Sequence, residues 1–137
     1  MNYEKATQYT KKFEGLSLLP YQCPTGHLTI GYGHNLEIGI TKEMADVLLM
    51  TDLRAAELEV SSKVTYFNKL NEARQFVLVD MCFNMGIIKL RTFKKMLAAL
   101  SKGNYPVAAR EMLDSKWAVQ VGNRAKKLAE IMRTGEY

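Results

Sequence analysis

One carboxyl group, one thiol and one hydroxyl follow each other at fixed spacing in the first third of the sequence. Glu14 is followed after eight residues by Cys23 and after five more by Thr29, and no Asp or Glu follows Glu14 until Glu37. A carboxyl group can donate a proton to a leaving group, and a thiol or hydroxyl can hold or activate a second reactant. The pattern suggests a site that contains a single acid.

A helix and a hairpin are predicted to position these groups. An amphipathic helix is expected over residues 2–13, and Gly15 ends it, which leaves Glu14 at its C-terminal end. Residues 24–26 are a strong turn signal, and the alternation over residues 28–32 is typical of a short strand. We therefore expect a β-hairpin directly after the helix.

The far strand of this hairpin carries small side chains. Thr29, Gly31 and Gly33 are expected to share one face, because side chains alternate across a strand. A face without bulky side chains lets a ligand approach the backbone closely. The strand is thus predicted to border a cleft that contains Glu14.

Helical periodicity continues to the C-terminus. Thr41 is expected to cap a helix that reaches about Val60, Asn71 to cap a buried central helix, and Asn123 to cap the last helix. Asp80 is conspicuous within the apolar central helix. Further helical segments are predicted over residues 92–102, 106–114 and 117–120.

Composition limits the possible classes of protein. The chain has 137 residues, 47% of them hydrophobic and 24% charged, which is typical of one soluble globular domain. The polar N-terminus has no apolar segment that would direct export by itself. Cys23 and Cys82 lie far apart and are expected to be free thiols. The net charge of +5 favours polyanionic partners, but we find no pattern that indicates nucleic-acid binding.

The order of these residues resembles the phage-type lysozymes, the endolysins related to the T-even phage enzyme. That family has a Glu, eight residues, an Asp or less often a Cys, five residues, a Thr, and then Ile-Gly-x-Gly-His, which here ends at His34. The likeness continues in four later blocks, Phe83–Gly86, Ser115–Trp117, Asn123–Lys126 and Arg133–Gly135. It spans nearly the whole chain in order.

The resemblance implies an α+β, mainly α, lysozyme-like fold of one domain with two lobes. The small lobe would cover about residues 15–60, with the hairpin and an inter-lobe helix, and the large helical lobe about 1–14 and 61–137. Only five residues separate His34 from Ile40, where the T-even enzyme has a much longer insertion. The small lobe is therefore expected to be little more than the hairpin.

The resemblance also assigns roles to single residues. Glu14 would be the general acid, and Thr29 would hold the attacking water together with Cys23. For Cys23 three roles stay open: a thiolate base, a group that positions the water, or inert packing. The substrate-binding residues of the cleft would be Gly31, Asn84, Gln120 and Arg124. Arg124 is also expected to pair with Glu14, whereas packing in the core is the favoured role of Trp117.

His34 and Asp52 are expected to form a structural ion pair that fastens the hairpin to the second helix, because they match the positions of such a pair in the family. A metal site is the rival interpretation of the histidines and cysteines. The spacings of Cys23, His27, His34 and Cys82 match no common zinc pattern. No metal and no cofactor is therefore predicted.

The function that the resemblance implies is hydrolysis of the β-1,4 bond between N-acetylmuramic acid and N-acetylglucosamine in bacterial peptidoglycan. Such an enzyme would be a monomer in the host bacterial cytoplasm and would need a holin-like membrane protein to reach the cell wall. Two alternatives stay open. A lytic transglycosylase would cleave the same bond with the substrate's own hydroxyl, and a non-catalytic peptidoglycan-binding module would release nothing.

Overall fold

The computed structural model describes all 137 residues and is mainly helical, with one three-stranded antiparallel sheet of order β1-β2-β3. The strands are β1 (Ser17–Gln22), β2 (Leu28–Gly31) and β3 (His34–Asn35). The helices are α1 (Tyr3–Glu14), α2 (Lys42–Lys63), α3 (Glu72–Met85), α4 (Ile87–Leu90), α5 (Lys94–Ser101), α6 (Tyr105–Leu113), α7 (Lys116–Val121) and α8 (Asn123–Thr134). Two 3₁₀ turns cover Leu36–Ile38 and Phe67–Lys69. The predicted α+β fold class is confirmed.

Side-chain caps begin three of the helices as predicted. Oxygens of Asn2, Thr41 and Asn71 each accept a hydrogen bond of 3.0–3.2 Å from an N–H in the first turn of the helix that follows. The expected cap at Asn123 is wrong. Asn123 is itself the first residue of α8, and Gly122 precedes it with a φ of +55° and no side chain to offer.

Three short elements differ from the predictions. The helix expected over residues 92–102 begins at Lys94, because Arg91 and Thr92 form a turn after α4. The helix α4 itself, four residues long, was not predicted. The strand β3 was also missed, and it extends the expected hairpin to three strands. Elements of two to four residues carry too little periodicity to be recognised.

The chain forms two compact units, and the boundary between them falls within α2. The N-terminal unit is Met1–Val47 and holds α1, the sheet and the first 3₁₀ turn. The C-terminal unit is Leu48–Tyr137 and holds the remaining helices. The lobe boundaries expected from the resemblance stay a prediction.

The hydrophobic core belongs to the C-terminal unit. Helix α3 supplies much of it, since Val77, Leu78 and Met81 are completely buried, as predicted for the central helix. Helix α6 packs against α5 and α8, and α8 also packs against α3. None of the helices is long and apolar enough to cross a membrane.

Candidate active site

The turn between β1 and β2 carries Cys23, which directly follows the first strand. The Cys23 N–H donates a 2.9 Å hydrogen bond to the His27 carbonyl, and the Gly26 N–H donates one of 2.8 Å to the Cys23 carbonyl. Gly26 has a φ of +86°, a conformation that glycine adopts without strain. The predicted turn chemistry thus folds the chain back over five residues and fixes the backbone on both sides of the thiol.

The Cys23 thiol lies among hydrogen-bond donors. Its Sγ is 3.0 Å from the Thr25 hydroxyl. The Thr25 hydroxyl, followed by the backbone of His27, lowers the pKa of Cys23 to about 7. Donors of this kind favour the thiolate over the thiol, because they stabilise the charged form. A large fraction of Cys23 is therefore ionised near neutral pH.

Thr29 is the one buried residue of the N-terminal unit, with 3% of its surface exposed. Its hydroxyl donates a 2.9 Å hydrogen bond to the His27 carbonyl. Cys23 uses the same carbonyl through its N–H. The two residues that the sequence spacing singled out are thus attached to one backbone oxygen, on opposite sides of the turn.

Glu14 ends α1 and meets the glycine-rich turn after β2. A Cβ at Gly33 would lie 2.7 Å from Oε2 of Glu14, and Gly33 has a φ of +80°, so both space and backbone favour glycine there. The expected shared face of Thr29, Gly31 and Gly33 is wrong for Gly33. The strand β2 ends at Gly31, and Gly33 lies in the turn that leads to β3.

His34 has a partner within its own unit. Its Nε2–H donates a 2.9 Å hydrogen bond to the Gly39 carbonyl, across the 3₁₀ turn. Asp52 borders a cavity of about 360 Å³ in the C-terminal unit, together with Glu59 and Cys82. The ion pair of His34 with Asp52 stays a prediction.

The C-terminal unit groups another set of predicted residues around one cavity. Asn84, Trp117 and Gln120 border a space of about 510 Å³. The indole N–H of Trp117 donates a 2.8 Å hydrogen bond to Oδ1 of Asn84, and its ring meets Phe93 edge to face at 6.1 Å. With 7% of its surface exposed, Trp117 belongs to the core, which confirms its predicted packing role.

Arg124 forms a bidentate salt bridge with Asp80. Nε donates to Oδ2 and Nη2 to Oδ1, both at 2.9 Å. The resemblance predicts Glu14 as the partner of Arg124, and that contact stays a prediction; within the C-terminal unit the guanidinium binds Asp80. Asp80 lies on α3 and Arg124 on α8, two helices that pack against each other. The planar carboxylate of Asp80 matches the fork of the guanidinium. This pairing explains the conspicuous acid in the apolar helix α3.

Sequence reasoning missed a second ion pair, which lies beside the candidate thiol. His27 Nδ1 is 2.8 Å from Oε2 of Glu37. The hydrogen bond with Glu37 raises the pKa of His27, and the same contact lowers the pKa of Glu37. One signal was available, because Glu37 is the first acid after Glu14, but the ten-residue separation of the partners gave no periodic pattern.

Comparisons with known proteins give a family and several relatives. The sequence model of the family described as phage lysozyme matches residues 11–134. An endolysin of Acyrthosiphon pisum secondary endosymbiont phage 1 is 33% identical, over 84% of this chain and 78% of that protein. A probable T4-type lysozyme of Dictyostelium discoideum is 27% identical, over 89% of each. The pre-baseplate central spike protein Gp5 of Enterobacteria phage T4 is 29% identical, over 91% of this chain and 27% of its own length.

Proposed function

The chain belongs to the phage lysozyme family and is a glycosidase, and we propose that it is an endolysin that hydrolyses the β-1,4 bond between N-acetylmuramic acid and N-acetylglucosamine in peptidoglycan. The observation that carries this proposal is the shared attachment of Cys23 and Thr29 to the His27 carbonyl. It joins a thiol of lowered pKa to a hydroxyl, in the unit that also holds Glu14.

The reaction needs one proton donor and one water molecule. Glu14 would give its proton to the glycosidic oxygen as the bond from that oxygen to the anomeric carbon breaks. A water held by Cys23 and Thr29 would attack the anomeric carbon, and its proton would pass to the Cys23 thiolate. The lowered pKa of Cys23 supports this role, because a base must be ionised at the working pH.

Substrate binding is proposed for residues of both units. Gly31 ends β2 with a φ of +68° and no side chain, which leaves room for a sugar ring near the backbone. In the C-terminal unit, Asn84 and Gln120 border the 510 Å³ cavity and offer amide groups for sugar hydroxyls and acetamido groups. The salt bridge with Asp80 holds Arg124 in one orientation, so that an N–H of its guanidinium remains for the substrate. The net charge of +5 would favour approach to a polyanionic wall.

Substitution of Glu14 by Gln tests the proposal. The amide keeps the shape of the side chain but cannot donate the proton, so lysis of a cell-wall suspension should fall about 100-fold or more. Glu4→Gln is the matched control, because Glu4 lies in the first turn of the same helix and is exposed. Circular dichroism should report the parent fold for both variants. A Glu14→Gln protein that clears walls at the parent rate would refute the role of Glu14.

Mass spectrometry of the released fragments separates hydrolysis from transglycosylation. Hydrolysis leaves a reducing N-acetylmuramic acid end, whereas a lytic transglycosylase leaves a 1,6-anhydro end. The pairing of Cys23 with Thr29 favours hydrolysis, because a transglycosylase has no attacking water to position. Walls that bind the protein but release no fragments would instead indicate a binding module.

Access to the substrate is the last part of the proposal. The enzyme would collect as a monomer in the host cytoplasm and reach the wall after a holin-like protein permeabilises the membrane. Expression in a bacterium, with and without a membrane-permeabilising agent, tests this route. Lysis should follow the agent, and spontaneous lysis without it would contradict the route.

A further inference from the structure

One peptide group organises the turn around the candidate thiol. The carbonyl of His27 accepts hydrogen bonds from the Cys23 N–H and the Thr29 hydroxyl, each of 2.9 Å. The N–H of the same peptide group belongs to Leu28 and donates to Oε1 of Glu37 at 3.4 Å. Glu37 therefore accepts from the N–H of the peptide group whose carbonyl oxygen binds both Cys23 and Thr29.

Glu37 also holds the side chain of the same residue. Its second oxygen, Oε2, accepts from Nδ1 of His27 at 2.8 Å. The 3.4 Å contact is long for a hydrogen bond and would be weak alone, but the shorter contact fixes the carboxylate beside it. Both oxygens of Glu37 are thus engaged with the His27–Leu28 segment, although half of each side chain in the ion pair is exposed.

The position of Glu37 is itself fixed by the 3₁₀ turn. Its N–H donates to Oδ1 of Asn35 at 2.9 Å, and the Gly39 N–H closes the turn on the Leu36 carbonyl at 3.1 Å. The Gly39 carbonyl accepts from His34. The histidine that ends the glycine motif therefore supports the turn that carries Glu37.

We propose that Glu37, acting through His27, is a positioning residue that holds Cys23 and Thr29 in the geometry that water activation requires. This inference rests on the proposed function. Glu37 is not an alternative acid, because His27 keeps its carboxylate ionised by lowering its pKa. Other charged groups are scarce here, since residues 17–33 contain no Asp, Glu, Lys or Arg, and within the His27–Glu37 pair it is His27 whose charge interacts with Cys23.

Steady-state kinetics on a soluble peptidoglycan fragment give the first test. Glu37→Ala should lower kcat about 10- to 100-fold with little change in KM, because misplaced groups slow the chemical step more than binding. Glu37→Gln should recover much of the loss, since its amide NH₂ can still bond to Nδ1 of neutral His27 while its amide oxygen accepts from Leu28. Asp46→Ala is the matched control: it removes an exposed carboxylate of the same unit whose partner is Lys42. Equal losses for Glu37→Ala and Asp46→Ala would overturn the proposal.

The pH profile of Cys23 alkylation by iodoacetamide gives a second test that is independent of the reaction. Positioning predicts that Glu37→Ala raises the midpoint, by about one pH unit, because a loosened turn withdraws its donors from the thiolate. A lowered midpoint would mean that Glu37 acts only as a nearby negative charge, and an unchanged midpoint would mean that it does not act on Cys23. Either result would overturn the proposal.

The two tests also separate this inference from the proposed function. Full activity of Glu14→Gln would refute the proposed reaction but would leave the alkylation shift intact. An unshifted midpoint with an inactive Glu14→Gln protein would refute the positioning role alone.

Discussion

The two units of the molecule are built on different principles. In the C-terminal unit, 24 hydrophobic residues from Ala56 to Met132 form one buried cluster. In the N-terminal unit the only buried residue is Thr29, and α1 has no buried side chain at all. The N-terminal unit is instead stabilised by hydrogen bonds within its turns, such as those to the His27 carbonyl and those of the 3₁₀ turn.

This difference indicates where stability and chemistry are located. Buried apolar surface contributes about 25 cal/mol for each Å², whereas a hydrogen bond contributes about 1 kcal/mol net. The C-terminal unit can therefore resist local opening, and the N-terminal unit is expected at the low-stability end of the molecule. The groups proposed for proton transfer and water activation all lie in this less stable unit.

The largest expected contrast concerns the two thiols. Burial, followed by the charge of Glu59, raises the pKa of Cys82 to about 11, whereas the pKa of Cys23 is lowered to about 7. Near pH 7, about half of Cys23 but roughly one part in 10⁴ of Cys82 is thiolate. Iodoacetamide should modify one thiol of the native protein and two of the unfolded protein, as counted by mass spectrometry.

The lowered pKa of Cys23 also predicts how the activity depends on pH. If the Cys23 thiolate is the base, activity should decline as the pH falls through about 7, because protonation removes the base. Alkylation of Cys23 should then abolish lysis. A Cys23→Ala protein that lyses walls at the parent rate would show that the contrast between the thiols has no catalytic meaning.

The second contrast uses two glycines with similar backbones. Gly33 and Gly103 have φ angles of +80° and +71°, but a Cβ meets Glu14 only at Gly33. Gly33→Ala should lower activity about 10- to 100-fold by displacing the carboxylate, and Gly103→Ala, in the other unit, should leave the specific activity unchanged. Lysis assays normalised to folded protein measure both. Equal activity of the two variants would show that the close approach of Gly33 to Glu14 is not needed for the reaction.

The smallest effect is expected from the salt bridge of the C-terminal unit. Asp80→Asn breaks the bidentate contact between Asp80, whose side chain is 16% exposed, and Arg124, whose side chain is 39% exposed. The substitution should lower the free energy of unfolding by about 1 kcal/mol. Chemical denaturation measures this change. Glu130→Gln, which breaks an exposed pair with Arg133 on one helix, is the control and should change nothing measurable. If Asp80→Asn lowers the free energy of unfolding no more than Glu130→Gln does, the salt bridge of Asp80 with Arg124 contributes no more to stability than an exposed surface pair.

Features encoded locally were predictable from the sequence. The caps at Asn2, Thr41 and Asn71 follow from residue type and position, and the buried central helix follows from its apolar run. The spacing of Cys23 and Thr29 also predicted that they belong to one hairpin, because a tight turn leaves few alternatives.

Features that depend on contacts between distant segments were not predictable. Asp80 and Arg124 are separated by 44 residues, so nothing local indicates which acid Arg124 will meet. The contact of Glu37 with His27 depends on a 3₁₀ turn of three residues, too short to leave a periodic signal. The resemblance supplied an order of residues and expected partners for Arg124 and His34, but it indicated neither the contact of Arg124 with Asp80 nor that of Glu37 with His27.

The position of Trp117 determines which part of this molecule tryptophan fluorescence can report on. Trp117 is the single tryptophan of the chain and belongs to the C-terminal unit. Its emission therefore follows the environment of α7 and the neighbouring cavity, and a melting curve recorded by fluorescence will describe that unit. Unfolding of residues 1–47 can proceed without a fluorescence signal, so circular dichroism and fluorescence need not give the same midpoint.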